Sequence, residues 1–159
     1  MQRIALFPGT FDPVTIGHVD IVQRIVNMFD KVFVGIGTNF NKTAMYSDTQ
    51  RVEWINEIFK NDPRIEGIVY EGLTVECCKQ VGARYIVRGI RFVSDFEYEK
   101  TIADMNRSLD SGIETIFLTC LPQYSSVAST LVRDVIRNGG DASMFLPDIV
   151  KKAIYKTTF

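Results

Sequence analysis

The sequence predicts an α/β domain built on a five-stranded parallel sheet flanked by helices on both faces. Two observations carry that prediction. Short β-branched runs alternate with amphipathic stretches from one end of the chain to the other, the order in which helices cover a parallel sheet. The 159 residues suit one domain, residues 1–159, and 46% hydrophobic against 23% charged residues is an ordinary globular balance. No repeat, low-complexity tract or Ser/Gly-rich linker divides the chain.

Arg3 to Phe7 reads as the first strand, stopped by Pro8-Gly9. Ile21, Val22, Ile25, Val26 and Phe29 then mark one face of a helix that starts near Gly17. Lys31 to Thr38 is the second strand, and Ser47-Asp-Thr-Gln50 has capping-box spacing for a helix through Val52, Ile55 and Phe59. Ile65 to Tyr70 is the third strand, with a short helix from Thr74 to Gly82. Arg84 to Val87 is the fourth. Ser94-Asp-Phe-Glu97 reads as a capping box opening a helix through Ile102, Met105 and Leu109 to Gly112. Thr115 to Thr119 is the fifth strand, Leu131 to Asn138 a helix closed by Gly139-Gly140, and Pro147 stands where a last helix begins.

Composition excludes several functions. Lys plus Arg is 18 and Asp plus Glu 19, a formal net charge of −1, whereas non-specific nucleic-acid binding needs a clustered positive surplus. The first apolar run, Ile4 to Phe7, is far too short for a signal-peptide core or a membrane span, so no membrane association is expected. Cys77 and Cys78 are adjacent, Cys120 stands apart and there is one histidine, which argues against a disulfide framework and a zinc site. Three free thiols fit a reducing cytoplasm.

In parallel α/β sheets ligands bind beyond the carboxyl ends of the strands, where the chain order switches direction. The segments after the first, second and fourth strands are therefore the ones to read. No G-x-x-x-x-G-K-[ST] is present, and Gly35-Ile-Gly37 lacks the third glycine of the dinucleotide fingerprint. After the first strand stands Pro8-Gly-Thr-Phe-Asp-Pro-Val-Thr-Ile-Gly17-His18. This is a turn leading into a helix start, where free N–H groups and the helix dipole favour anions. His18 there could donate to a phosphate oxygen, or it could simply cap or pack.

The same segment resembles the T/H-x-G-H signature of the nucleotidyltransferase superfamily, through Gly9 to Pro13 and Thr15-x-Gly17-His18. Arg88-Gly-Ile-Arg91, Asp95-Phe-Glu-Tyr-Glu99 and Met105-Asn-Arg107 are similar to segments of the bacterial phosphopantetheine adenylyltransferases. That resemblance runs from residue 1 to about residue 150. It implies a Rossmann-like fold and a reaction in which ATP and 4′-phosphopantetheine give dephospho-coenzyme A and pyrophosphate. The acceptor phosphate would attack the α-phosphorus in line, with Mg²⁺ carried by ATP and no covalent intermediate. It further implies feedback by coenzyme A and a homohexamer.

The residues implied to act on the reacting phosphates are His18, Thr10, Lys42 and Arg91. Thr10, Lys42, Arg88, Leu73 and Thr74 would bind the acceptor, the last two along its pantetheine arm. On the ATP side stand Thr10, Phe11, His18, Gly89, Ile90, Arg91 and Glu99. The run Tyr124, Ser125, Ser126, Val127, Ala128, Ser129 and Thr130 completes that side. Simpler roles compete: Lys42 as a loop charge, Arg88 and Arg91 paired with Asp95 or Glu99 on the surface, and Glu99 bracing its helix. Phe92, Phe96 and Tyr98 read as packing, and Cys77 and Cys78 as buried apolar groups. The chain departs from the family at Ala128, where a serine is typical, and at Tyr124, where tryptophan is frequent. Rival readings are a related enzyme with nicotinamide mononucleotide or glycerol phosphate as acceptor, and a nucleotide-sensing module without turnover.

Overall fold

The computed structural model describes residues 1–38 and 43–156. Five strands, β1 (Ile4–Gly9), β2 (Lys31–Thr38), β3 (Ile65–Glu71), β4 (Tyr85–Ile90) and β5 (Glu114–Thr119), form one sheet in the order β3-β2-β1-β4-β5. Every pairing is parallel. The helices are α1 (Ile16–Ile25), α2 (Asp48–Ile58), α3 (Thr74–Val81), α4 (Val93–Leu109), α5 (Ser129–Arg137) and α6 (Asp148–Tyr155). Two 3-10 turns, Pro122–Tyr124 and Ser143–Phe145, join them and carry no sequence signal read above.

Alternation along the strands divides the core between the two faces. Ala5 and Phe7 of β1, with Val32, Val34 and Ile36 of β2, pack under α1, α2, α5 and α6. Leu6 and Ile86 point the other way, onto Val75, Cys77 and Cys78 of α3. Burial pushes the Cys77 thiol up to about 11 and Cys78 to about 12, so both sit in the core as protonated apolar groups, as expected. Ser47 caps α2 by accepting from the Gln50 N–H (3.2 Å), and Gly82 ends α3 in the left-handed region (φ 72°), where glycine carries no Cβ penalty.

Four boundaries differ from the sequence reading. β1 runs on to Gly9 and β4 to Ile90, so Pro8, Arg88 and Gly89 lie within strands. The Ser94 capping box is not formed: α4 starts two residues earlier, with Phe92 as its N-cap, and Asp95 accepts from the Phe92 N–H (3.3 Å) and the Arg91 N–H (3.0 Å). α5 begins at Ser129 rather than Leu131. A fifth expectation also fails. Phe92, Phe96 and Tyr98 are 52%, 43% and 69% exposed. Only Phe96 meets an aromatic neighbour, the edge of Phe117 at 5.4 Å, because α4 turns most of its apolar side chains away from the sheet. Among the described residues no helix is long and apolar enough to cross a membrane.

Candidate active site

The strand order reverses direction at β1, which puts the switch point between β1 and β4. These two strands pair only through Ala5 with Tyr85 and Leu6 with Ile86, and then part. Pro8 falls in the parted stretch. Its missing N–H faces the same edge as its carbonyl, and there Arg88 Nη1 donates to the Pro8 oxygen (2.6 Å) in place of a ladder bond. A cleft of about 1640 Å³ opens at this point, framed by the β1–α1 loop, β4, α4 and the start of α5.

His18 stands at the third position of α1 and lines that cleft. It closes a capping box with Thr15. The His18 N–H donates to Thr15 Oγ1 (3.4 Å), and the Thr15 N–H donates to His18 Nδ1 (3.0 Å). Thr15-x-x-His18 has capping-box spacing with imidazole in the place of the acid, a signal available in the sequence. The capping reading of His18 holds, and the cap fixes the tautomer, leaving Nε2–H as a donor. The ring packs against the edge of Phe11 (4.9 Å), itself held at φ 49° in a conformation non-glycine residues rarely adopt.

Burial first, then the positive charges of Arg91 and Arg88, lower the His18 pKa to about 4 from the ordinary 6.5. Above pH 6.5 the ring is neutral whether the chain is folded or not. Between pH 6.5 and 4 the unfolded chain takes up a proton that the folded chain refuses, so this group removes stability as pH falls through that window, up to about 3 kcal/mol. Imidazole NMR of the ligand-free protein, which has one histidine, checks this: titration near pH 4 is expected, and titration near 6.5 contradicts the geometry.

Arg88 is tied down by three donors. Its Nε and Nη2 grip the two oxygens of Glu99 (2.7 and 2.6 Å), a bidentate fork that α4 delivers from a site 9% exposed. Arg91 is held more loosely, its Nε 3.3 Å from Asp95. Glu99 thus braces Arg88, the pairing that was the simpler reading of that arginine, while still lining the cleft.

Sequence reasoning missed a second network. The Asp12 carboxylate, 3% exposed, accepts from the N–H groups of Met45 (2.8 Å) and Tyr46 (2.9 Å). Arg51, equally buried, donates to the carbonyls of Tyr46 (3.0 Å) and Thr10 (2.5 Å) and pairs with Asp48. Arg133 Nη1 donates to the Asp12 carbonyl (2.7 Å) and lines the cleft, as does Arg137 one turn on. Nothing periodic marks these residues, because each acts on backbone brought close only by the fold.

α5 points its N-terminus into the cleft. Ala128 is its N-cap and offers no side-chain acceptor, so the first N–H groups of the helix are left for an anion. Ser129 Oγ instead donates to the Pro13 carbonyl (2.8 Å), pinning the helix to the β1–α1 loop. Ala128→Ser is expected to cap α5 and raise stability by about 1 kcal/mol, seen as a Tm increase of about 2–4 °C. If ATP is the nucleotide, as the resemblance implies, its KM should change less than about fivefold, a partly solvated neutral hydrogen bond contributing little net. A tenfold gain in ATP use would show that the chain lacks a contact it could exploit.

Comparison with known proteins places this arrangement. A family model described as cytidylyltransferase-like matches residues 6–135. A phosphopantetheine adenylyltransferase of Flavobacterium psychrophilum is 50% identical over 150 residues, 94% of this chain and 99% of the relative. Another, of Bacteroides fragilis, is 51% identical over 146 residues, 92% and 97% of the two chains. The chain belongs to the phosphopantetheine adenylyltransferase family. A solved structure with the same fold is a bifunctional NMN adenylyltransferase/ADP ribose pyrophosphatase from Francisella tularensis, with TM-score 0.76 and 17% identity over 98% of this chain and 49% of that one.

Within this adenylyltransferase chain, the cleft gathers most of the positions singled out from sequence. Thr10, Phe11, His18, Arg88, Gly89 and Arg91 line it around the parted strands. Thr74, Glu99, Tyr124 and Val127 to Thr130 complete its walls. Leu73, Ile90, Ser125 and Ser126 are not among its lining residues, and Leu73 is 55% exposed. Lys42 lies outside the described residues.

Proposed function

We propose that the chain catalyses reversible transfer of the adenylyl group of ATP to 4′-phosphopantetheine, giving dephospho-coenzyme A and pyrophosphate. The observation that carries this reading is the identity of half the residues, over nearly the whole of both chains, with relatives named for that activity. An oxygen of the acceptor phosphate attacks the α-phosphorus, the bond to the β-phosphate breaks, and pyrophosphate leaves. The nucleophile is already an anion near neutral pH, so the site needs no general base. Its work is to hold two mutually repelling anions in line and to stabilise charge on the transferring group.

The chain's residues suit that work. His18 Nε2–H, its tautomer fixed by Thr15, is the donor to the transferring phosphate, with Thr10 and Arg91 beside it and Lys42 in the same role. Arg88, aimed by Glu99, takes the acceptor phosphate, and the uncapped start of α5 with Arg133 takes the triphosphate. Mg²⁺ is assigned to the ATP phosphates, where it would offset their charge. No group of three or more His, Cys, Asp or Glu side chains that could hold a metal forms among the described residues. A homohexamer, feedback by coenzyme A and a cytoplasmic location belong to the same reading. The exposed aromatic face of α4 suits burial by another copy, and three unpaired cysteines suit a reducing compartment.

An acceptor panel tests the substrate. Pyrophosphate release with ATP should require 4′-phosphopantetheine. Release with nicotinamide mononucleotide or glycerol phosphate instead, or with CTP in preference to ATP, would overturn the assignment.

A further inference from the structure

We infer that Tyr70, at the end of β3, is a specificity-determining residue for the acceptor: its hydroxyl and that of Thr74 form a pair that supplies one hydrogen-bond donor to an amide carbonyl of the acceptor's arm. The inference rests on the proposed function, and it names a contact to the arm that the reading of Leu73 and Thr74 left out.

Tyr70 is half-buried and lines the cleft beside Thr74, the first residue of α3. Two glycines of the neighbouring β2 make its seat. A Cβ at Gly35 would stand 3.1 Å from Tyr70 Cε1, and one at Gly37 would stand 3.2 Å from its hydroxyl oxygen. Bulkier residues there would force the ring to shift. Ring position is therefore set by strand sequence and not by a flexible loop.

The hydroxyl oxygens of Tyr70 and Thr74 are 3.0 Å apart. Two hydroxyls carry two protons, and their mutual bond uses one. Whichever residue donates within the pair, the other O–H is left over, so the pair always presents one donor. Ile102 and Asn106 of α4 line the same cleft. An arm carrying amides and apolar carbons finds there an apolar side chain, an amide side chain and a fixed donor. A short polar acceptor such as glycerol phosphate would not extend to this pair, which makes it a filter for arm chemistry and not for the phosphate.

Tyr70→Phe keeps the ring in its seat and removes the hydroxyl, and Thr74→Val keeps shape while removing the other. Calorimetry with phosphopantetheine alone and with ATP alone, together with steady-state KM values, reads the outcome. Each single variant leaves one O–H no longer held by its partner and should weaken the acceptor by about threefold. The double variant, with no O–H left, should weaken it by up to about tenfold, the range of one neutral hydrogen bond, with less than a twofold change for ATP. Wild-type turnover with an unchanged acceptor Kd in both variants overturns the assignment of Tyr70 alone, as does an equal loss for ATP. A wild-type protein that neither binds nor adenylylates phosphopantetheine overturns the functional reading and this inference with it.

Discussion

His18→Ala is expected to lower kcat by about 10²–10³-fold with modest change in either KM, because a donor aimed at developing charge acts mainly in the transition state. The structure adds a reason for that size. Nδ1 is occupied by the Thr15 N–H, so the ring cannot turn to offer a different nitrogen, and Nε2–H is pre-oriented. Stability should move differently from activity. Loss of the imidazole removes one half of the capping box but also the group that destabilises the fold as pH falls from 6.5 to 4. The variant should therefore show a flatter stability profile across that window alongside its kinetic defect. A kcat within a few-fold of the parent would remove His18 from the catalytic role.

Arg88→Ala carries the second large effect, and it falls on both binding and folding. Deleting the guanidinium leaves the Glu99 carboxylate, 9% exposed, without its two donors, and strips the Pro8 carbonyl of its partner. Removing one member of a buried pair costs about 3 kcal/mol, a Tm decrease of about 6–12 °C for a chain of this size. Loss of a charge-assisted phosphate contact should weaken phosphopantetheine about ten- to hundredfold as well. Adding Glu99→Gln separates the two. The double variant should regain part of the lost Tm, since no uncompensated charge is left, while acceptor binding stays weak. Thermal melts and acceptor titrations of the two variants check this. A Tm unchanged in Arg88→Ala would mean that the pair is not the brace described.

The parts of the molecule that the sequence reveals are those governed by short-range pattern. Strand and helix existence followed from apolar spacing, and the caps at Ser47 and Gly82 from residue chemistry alone. What local pattern could not supply was the extent of β1 and β4. Pro8 reads as a stop, yet it continues a strand, because the partner strand has parted and Arg88 fills the gap. Ser94 looked like an N-cap, but the Asp95 carboxylate was better placed to accept from Phe92 and Arg91. Phe92, Phe96 and Tyr98 read as packing yet stand exposed, since composition does not say which side of a helix meets the sheet. At the site, His18 is legible through a spaced motif, and Thr10, Arg88 and Arg91 through resemblance to the family's segments. Asp12, Arg51 and Tyr70 were not, because their partners are backbone atoms, glycines and a hydroxyl that only the fold brings within reach.

Adenylyl transfer from ATP to an anionic acceptor is assigned to the cleft between β1 and β4. Its most direct test is the chromatographic yield of products when the wild-type protein is given ATP, Mg²⁺ and 4′-phosphopantetheine. Dephospho-coenzyme A and pyrophosphate should form in equal amounts, each requiring both substrates, and both should fall together in His18→Ala. Pyrophosphate formed without the acceptor, or no dephospho-coenzyme A from the intact protein, would contradict the account.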